Sequence, residues 1–301
     1  MSNLPKASRT QSLGTTDITV SSLAWGHWRL VGHDGAEVTE ACHAALDAGI
    51  TVFDTADIYG ASESHFGAAE ELLGSVLSEN PDMRDRIVLS TKGGIVPGIP
   101  YDSSAEYLTK AIDASLSRLQ TDHIDLWHIH RPDVLTHPQE IARVVEDAVQ
   151  AGKIRAFGVS NFTQGQIASL THFLTVPLAA TQPELSALCI DPIADGTLDQ
   201  AMEMDMTVLA WSPLGGGRIA DPQTARERDV AAALSGVAAA HGVSRTAAAL
   251  SWIMAHPARP VPIIGTQNPA RIVEAAAAFD VQWSRADWYA VLVAARGVAL
   301  P

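Results

Sequence analysis

The feature that most constrains the fold of this 301-residue chain is a regular alternation of strand-like and helix-like segments. Short runs rich in β-branched and aromatic residues alternate with longer segments whose apolar residues recur at helical spacing. From Leu23 onwards eight strand-like runs occur, each followed by a helix-like segment, and the later seven cover residues 51–53, 87–91, 124–130, 155–159, 177–182, 207–211 and 262–264. Eight such units in a chain of this length predict an α/β fold, a closed (β/α)8 TIM barrel, as a single domain over residues 1–301.

Two local signals refine this prediction. Two short extended runs lie within residues 17–26, and we expect a short N-terminal β-hairpin ahead of the barrel. Ser103 and Glu106 form a capping-box signature, in which the serine side chain accepts a hydrogen bond from the first turn of a helix. We therefore expect Ser103 to begin the helix whose apolar stripe runs through residues 108–119.

Composition excludes several classes of protein. The chain has 34 acidic and 20 basic residues, a formal net charge of −14, which repels nucleic acid and anionic membranes. Only two cysteines occur, Cys42 and Cys189, far apart in the sequence, which is typical of a reducing compartment. The first residues contain no apolar signal segment, and the alanine-rich residues 230–255 are interrupted by polar residues too often for a membrane span. We expect a cytoplasmic protein.

The segment GITVFDTADIYG, residues 49–60, places polar groups directly after a predicted buried strand. Gly49 is the expected C-cap of the preceding helix, because glycine adopts the left-handed conformation without steric cost. Asp54 ends the strand and Tyr59 follows on the loop, at the end of a barrel strand where catalytic groups lie. A plainer interpretation is that Asp54 caps the next helix and Tyr59 is a half-exposed aromatic residue. Taken alone, the pair fits both interpretations.

Two further strands end in a chemically useful group. Lys92 closes the strand of IVLSTK, and His130 closes the strand of IDLWHIHRP. Singly, a lysine at a strand end is usually a solvated charge, and a histidine among apolar residues is usually a satisfied core residue. Three successive strands ending in such groups favour a functional site at the carboxyl end of the barrel.

Other familiar signatures are incomplete. His128 and His130 have the spacing by which two imidazoles on one strand face can bind a metal, but no further ligand motif completes the site. Gly215, Gly217 and Ala220 fit G-x-G-x-x-A, yet no acidic residue follows about 20 positions on, so an ordinary dinucleotide fingerprint is rejected. The chain has neither a G-x-S-x-G elbow nor a Walker P-loop.

The whole set of motifs resembles the aldo-keto reductases. The matching segments are GITVFDTADIYG, IVLSTKGG, IDLWHIHRP, GKIRAFGVSNF, TQPEL, VLAWSPLGGG and IIGTQNPARIVEA, in the family's order and over nearly the whole chain. GHWRL near the start and LGGGRI after the seventh strand resemble a bacterial oxidoreductase subgroup. The resemblance implies a barrel that binds NADPH without a metal and reduces carbonyl groups.

The resemblance also implies a catalytic tetrad of Asp54, Tyr59, Lys92 and His130, and the chemistry of these residues fits it. A reduced carbonyl oxygen needs a proton, but the tyrosine pKa of about 10 is about three units above neutrality, a gap of about 4 kcal/mol. One ammonium about 4 Å away, at an effective dielectric constant of about 20, contributes roughly that much. We therefore expect Lys92 to make Tyr59 more acidic and Asp54 to keep Lys92 charged. His130 is expected to hold the substrate oxygen, with Trp28 as a further substrate contact.

The resemblance places a cofactor site along the strand ends. Its expected residues near the nicotinamide and the first strand are Gly26, His27, Trp28, Asp54, Ser160, Asn161, Gln182 and Trp211, the last as the ring that stacks on the nicotinamide; ordinary core packing is the plainer role for Trp211. Those expected near the pyrophosphate are Ser212, Leu214, Gly215, Gly216 and Arg218.

The adenosine end of the expected site consists of Gly265, Thr266, Gln267, Arg271 and Glu274. Arg271 favours NADPH over NADH, because a guanidinium fork suits the 2′-phosphate. Gly265 stands where many family members carry lysine, and Ala275 where many carry asparagine, so use of NADH as well is possible.

Substrate identity and oligomeric state are left open. We expect a small-molecule carbonyl substrate, chosen by the loops of residues 131–137 and 217–228. Two other functions compete with a reductase: a non-catalytic NADPH-binding sensor or regulatory barrel, and a metal-dependent hydrolase that uses His128 and His130. The first predicts tight cofactor binding without turnover, and the second predicts bound metal.

Overall fold

Eight parallel strands close into a barrel in the structure, a computed structural model that describes residues 3–300. The strands are β1 (Thr10–Ser12), β2 (Thr19–Ser21), β3 (Ala24–Gly26), β4 (Val52–Asp54), β5 (Val88–Gly93), β6 (Ile95–Val96), β7 (Ile99–Tyr101), β8 (Ile124–Ile129), β9 (Ile154–Ser160), β10 (Leu178–Gln182), β11 (Thr207–Ala210) and β12 (Val261–Ile264). The barrel order is β3-β4-β5-β8-β9-β10-β11-β12, and β12 pairs back onto β3. The predicted (β/α)8 barrel is confirmed.

Helices follow the barrel strands and pack around them. They are α1 (Gly35–Asp47), α2 (Ala68–Glu79), α3 (Pro81–Arg84), α4 (Ala105–Leu119), α5 (Pro138–Gln150), α6 (Gln164–Thr171), α7 (Asp191–Ala194), α8 (Thr197–Glu203), α9 (Ala225–His241), α10 (Arg245–Met254), α11 (Pro269–Ala275) and α12 (Arg285–Arg296), with 3-10 turns at Gly215–Gly217 and Ala276–Asp280. Within residues 3–300, none of the helices combines the length and apolar character that a lipid bilayer requires of a spanning segment.

One predicted helix start is displaced by one residue. Ser104, not Ser103, is the N-cap of α4, and its hydroxyl accepts from the Tyr107 N–H at 3.3 Å. Ser103 is fully buried, and Glu106 pairs with Lys110 instead of closing a capping box. Ser103 and Ser104 are adjacent, and either side chain could cap the helix. Because Ser103 is buried in tertiary contacts, Ser104 is the cap.

The turn between α1 and β4 fixes the direction of the strand that carries Asp54. Ala48 is the C-cap of α1, and Gly49 follows it with φ +77°, in the left-handed region. The Gly49 N–H donates to the Leu46 carbonyl at 3.0 Å. Gly49 therefore ends the helix as expected, one position after the cap itself.

The side chains that point into the barrel change character along each strand. Alternate residues of a strand share a face, so Val52 and Asp54 of β4 point the same way. The same holds for Val88, Ser90 and Lys92 on β5, and for Leu126, His128 and His130 along β8 and the residue after it. The earlier residues belong to an apolar cluster inside the barrel: Val52, Val88, Leu126, Ala156, Leu209, Val261 and neighbours. Polar groups therefore gather at the carboxyl end.

The N-terminal hairpin closes the opposite end of the barrel. β1 pairs antiparallel with β2, which confirms the predicted hairpin. Leu13, Ile18 and Val20 from this hairpin belong to the apolar cluster inside the barrel. The Gly14 N–H donates to the Thr207 hydroxyl at 2.8 Å, at the start of β11, and this bond ties the hairpin to the barrel. The amino end is thus a packed core, and solvent reaches the interior from the carboxyl end.

Candidate active site

The four predicted catalytic residues meet at the carboxyl end of three neighbouring strands. Asp54 ends β4, Lys92 lies near the end of β5, His130 follows β8 directly, and Tyr59 is on the loop after β4. Because β4 pairs with β5 and β5 pairs with β8, the strand ends are adjacent. The topology of the barrel therefore brings together groups that are up to 76 positions apart between residues 54 and 130.

Lys92 is the centre of this group. Its side chain is fully buried, and Nζ lies 2.6 Å from Asp54 Oδ2, 2.8 Å from the Thr55 carbonyl and 3.5 Å from Tyr59 Oη. Burial alone lowers the pKa of Lys92, but attraction to Asp54 and Tyr59 outweighs burial, so the pKa is raised. Lys92 is an ammonium held against the tyrosine hydroxyl.

Asp54 is fully engaged inside the site. Its second oxygen, Oδ1, accepts from Ser90 Oγ at 2.9 Å and from Gln182 Nε2 at 3.2 Å. The next helix, α2, begins 14 residues later and its N-cap is Gly67. The plainer interpretation of Asp54 as a helix cap is therefore wrong.

Tyr59 is half-buried and lies between the buried ion pair and the solvent. Its ring is edge-on to Trp28, with centroids 5.0 Å apart, and edge-on to His130 at 5.7 Å. Loss of solvent raises the pKa of Tyr59 above 10, while Lys92 lowers it and Asp54 raises it. The net rise differs from the acidic phenol that the sequence predicts, because loss of solvent disfavours the phenolate more than one paired lysine favours it.

The two histidines of the H-x-H pair have different surroundings. His128 is fully buried, with its ring against Gly158, and burial lowers its pKa to about 3. Burial and the neighbouring Lys92 hold the pKa of His130 well below 6.5, so its imidazole is neutral at pH 7. Within residues 3–300 no group of three or more His, Cys, Asp or Glu side chains could share a metal ion.

A large cleft opens beside these residues. Its volume is about 1130 Å³, and it is lined by Asp54, Tyr59 and His130 at one end and by Arg271 and Glu274 at the other. Predicted site residues in its wall are Gly26, Trp28, Asp54, Tyr59, His130, Ser160, Asn161, Gln182, Trp211, Ser212, Leu214, Gly216, Gly265, Thr266, Gln267, Arg271 and Glu274. This volume slightly exceeds the roughly 300–1,000 Å³ of ordinary small-molecule pockets, so the cleft is large enough for a dinucleotide.

Polar side chains near the tetrad hold one another in place. Asn161 has φ +60°, and its Nδ2 donates to Ser160 Oγ at 2.8 Å. Trp211 Nε1 donates to Asn161 Oδ1 at 2.9 Å, which fixes the plane of the indole ring at the cleft wall. This wall offers an aromatic face beside amide groups, which fits a flat aromatic amide such as nicotinamide.

The middle of the cleft exposes backbone. Gly216 and Gly217 have φ +69° and +97°, and no heavy atom lies within 4 Å of where a side chain would begin. Bare backbone with room around it can approach a pyrophosphate closely. Gln267 adds a buried side-chain oxygen with no partner among residues 3–300, a group that a bound ligand can satisfy.

Four predicted residues are outside the cleft wall. Lys92 lies behind Asp54 and Tyr59, and Gly215 packs against Leu188. Arg218 donates to the Gly215 carbonyl at 2.8 Å and pairs with Glu227 at 3.4 Å. His27 is fully buried, edge-on to Trp25 and Phe53, so only its backbone lies near the cleft.

Two arginines in the cleft wall were not predicted as individual site residues, although Arg131 begins the loop 131–137 that was expected to select the substrate. Arg131 lies 5.8 Å from the centre of the Trp211 ring, and Arg29 lies beside Gly265. Each follows the end of a barrel strand within three residues. That position is the signal that could have identified them, since the loops after barrel strands build such sites.

The family assignment rests on a match over most of the chain. The sequence model of the Aldo/keto reductase family matches residues 22–292. The chain belongs to this family. Its members reduce carbonyl groups of small molecules with nicotinamide cofactors, so this aldo/keto reductase is an oxidoreductase.

Named relatives and a solved structure agree with this assignment. The chain is 61% identical to 6-dehydroglucose reductase of Novosphingobium aromaticivorans, over 100% of both chains. It is 36% identical to 6-dehydroglucose reductase of Agrobacterium fabrum, over 93% of this chain and 96% of the relative. The glycerol dehydrogenase structure from Gluconobacter oxydans superposes with a TM-score of 0.84 at 27% identity, and 97% of each chain is covered.

Proposed function

We propose that this aldo/keto reductase reduces an aldehyde or ketone to an alcohol with NADPH, and that Tyr59 donates the proton. The observation that carries the proposal is the position of Lys92, with Nζ 2.6 Å from Asp54 Oδ2 and 3.5 Å from Tyr59 Oη. A buried ion pair adds little net stability to a fold, so stability does not explain this arrangement behind the cleft wall. It does provide a cation beside a hydroxyl that faces a ligand.

Tyr59 acts as a general acid in this proposal. NADPH, when bound, supplies a hydride to the carbonyl carbon. The raised pKa of Tyr59 means that the phenol keeps its proton at pH 7 until negative charge develops on the substrate oxygen. An alkoxide is a much stronger base than a phenolate, so transfer is favourable. Lys92 then stabilises the phenolate that remains.

His130 orients the carbonyl oxygen. Its pKa is held well below 6.5 by burial and by Lys92, so the ring is neutral and has one N–H to donate. A neutral imidazole can hold the oxygen without losing a proton to it. Trp28, more than half exposed and edge-on to Tyr59, forms the outer wall for the rest of the substrate.

We propose a set of cleft residues for each part of the cofactor. Ser160, Asn161 and Gln182 would hold the nicotinamide amide, with Trp211 stacked on the ring. The exposed backbone of residues 212–217 would take the pyrophosphate. Thr266, Gln267 and Arg271 would take the 2′-phosphate, and Glu274 the adenine. The open backbone of Gly216 and the unpartnered Gln267 oxygen support this fit.

We assign a sugar aldehyde as the substrate class. The support is the 61% identity, over the full length of both chains, with 6-dehydroglucose reductase of Novosphingobium aromaticivorans. The residues around the tetrad agree with a hydroxyl-rich substrate, because Arg131 brings hydrogen-bond donors to the same cleft wall as Trp28 and lies beside Trp211.

The test is steady-state turnover with a panel of carbonyl compounds. A hexose with an aldehyde at C6 and several simple aldehydes are each mixed with NADPH or NADH, and glucose with NADP+ measures the reverse reaction. We expect the highest kcat/KM for the sugar aldehyde with NADPH, unchanged by EDTA. Tight NADPH binding with no turnover of any carbonyl would favour the sensor, and loss of activity in EDTA would favour the metal-dependent hydrolase.

A further inference from the structure

Gly265 leaves the adenosine end of the cleft without a side chain at the end of β12. If a side chain were present there, its first carbon would lie 3.4 Å from Arg29 Nη1, and no other heavy atom would lie within 4 Å. The Arg29 guanidinium therefore lies in van der Waals contact with the point where a side chain at position 265 would begin. A cation reaches this point of the cleft from the loop after β3 instead of from the end of β12.

The backbone that carries Arg29 is fixed against the β12 loop. β3 pairs with β12, with Trp25 opposite Ile264. Trp25 Nε1 donates to the Thr266 carbonyl at 2.9 Å, and Gln267 Nε2 donates to the Gly26 carbonyl at 3.0 Å. These bonds hold the backbone before Arg29 against the backbone on either side of residue 265.

Arg29 carries a charge that no protein group neutralises. Among residues 3–300 neither Arg29 nor Arg271 forms an ion pair or a side-chain hydrogen bond, and both are exposed. Glu37, Glu40 and Glu274 line the same cleft, yet none forms an ion pair with either arginine. Glu37 instead accepts from the Asp34 backbone at 3.1 Å and contacts His33.

Two free guanidinium groups, one on the loop after β3 and one in the first turn of α11, make a site for a doubly charged anion. Guanidinium forks bind phosphate oxygens in pairs, and two forks match the charge of a phosphate monoester. In a chain of net charge −14, Arg29 and Arg271 both line one cleft without an ion-pair partner among residues 3–300. We infer that Arg29 and Arg271 together bind the 2′-phosphate of NADPH, and that Arg29 supplies the cation that Gly265 cannot.

This inference rests on the proposed use of NADPH. It adds that the enzyme discriminates strongly against NADH. A site with Arg271 alone would discriminate weakly between NADPH and NADH. With Arg29 added, the enzyme selects NADPH strongly, despite the glycine at position 265. The competing assignment for Arg29 is the pyrophosphate, which both cofactors contain.

Binding of NADP+ and NAD+, measured by isothermal titration calorimetry, separates these assignments without any turnover. The variants are Arg29→Gln, Arg271→Gln and the surface control Arg143→Gln, which removes the same charge from α5 outside the cleft. We expect Arg29→Gln to weaken NADP+ binding about 10- to 100-fold, with NAD+ binding unchanged within twofold. The control should match the wild type for both.

A second test places the positive charge at position 265 instead of position 29. Gly265→Lys in the Arg29→Gln background should restore most of the lost NADP+ affinity, because the new side chain starts beside the vacated position. Equal weakening of NADP+ and NAD+ by Arg29→Gln would assign Arg29 to the pyrophosphate and overturn the inference. Loss of NADP+ preference only in Arg271→Gln would also overturn it, and would leave the proposed function intact. A wild type with no preference for NADP+ would refute the use of NADPH itself.

Discussion

The two ends of the barrel are built from the same strands and have opposite properties. On β4, Val52 belongs to a dry apolar cluster and Asp54, two residues later, is half of a buried ion pair. On β5, Val88 and Lys92 show the same change over four residues. The amino end, closed by the hairpin with Leu13, follows the rules for a stable core, because apolar side chains fill it. The carboxyl end violates those rules at the positions where a ligand would bind.

The violations at the carboxyl end have a free-energy cost. His128 Nε2, His130 Nδ1 and both ring nitrogens of His27 are buried without partners among residues 3–300. Each such atom costs about 1–3 kcal/mol. A buried ion pair also loses most of its Coulomb energy to desolvation. The comparison implies that the amino end stabilises the fold and that the carboxyl end reduces stability in exchange for activity.

The largest expected effect comes from neutralising the ion pair. We expect Lys92→Met to lower kcat/KM at least about 1000-fold, a loss of about 4 kcal/mol in transition-state stabilisation. It should also lower the free energy of unfolding by about 3–5 kcal/mol, because Asp54 is left as an unpaired buried charge. The double variant Asp54→Asn/Lys92→Met should be as inactive but at least as stable as the wild type. Urea unfolding and steady-state kinetics measure both.

A double variant as unstable as Lys92→Met would break the comparison, because the pair would then stabilise the fold. Substantial activity in either variant would show that the proton donor does not need the cation.

The next effect concerns the amino end. Leu13 is fully buried in the apolar cluster inside the barrel, so Leu13→Ala should lower the free energy of unfolding by about 2–4 kcal/mol. Because Leu13 is at the far end from the cleft, kcat and KM should change less than twofold at a temperature where the variant is folded. Val134→Ala, at a position 83% exposed, is the control and should change stability by less than about 0.5 kcal/mol. A fall in kcat of Leu13→Ala equal to that of Lys92→Met would show that the ends are not separable.

The smallest expected effect is the response of reduction to pH. The pKa of His130 is held well below 6.5 and that of Tyr59 is raised above 10, so neither group changes charge between pH 6.5 and 9. We expect kcat/KM at saturating NADPH to vary less than twofold over this window. It should fall only above about pH 10, where the phenol loses its proton. An inflection between pH 7 and 9 would indicate a tyrosine whose pKa is lowered.

The sequence was sufficient for the barrel and for the meeting of the tetrad. The carboxyl ends of neighbouring parallel strands lie at the same end of the barrel. The polar residues that end β4, β5 and β8 are therefore close together, independently of the conformation of the loops. Arg29 was missed because its place over Gly265 depends on the path of a loop and on the contacts of Trp25 and Gln267.

Properties that depend on how deeply a side chain is buried could not be predicted from the sequence either. The direction of the Tyr59 pKa depends on how much solvent its hydroxyl loses, which sequence spacing does not specify. The choice of Ser104 over Ser103 as a helix cap depends on the burial of Ser103. Local sequence signals determine neither the direction of the Tyr59 pKa shift nor the capping serine of α4. Tertiary packing determines both.

The measurement that tests the central claim most directly is the comparison of Tyr59→Phe with the wild type in two assays. This variant removes one oxygen atom and keeps the ring that packs against Trp28 and His130. We predict that kcat/KM for carbonyl reduction falls at least about 1000-fold, while the Kd for NADPH, from quenching of tryptophan fluorescence, changes less than threefold. Reduction by Tyr59→Phe at a rate close to that of the wild type would contradict the assignment of Tyr59 as the proton donor.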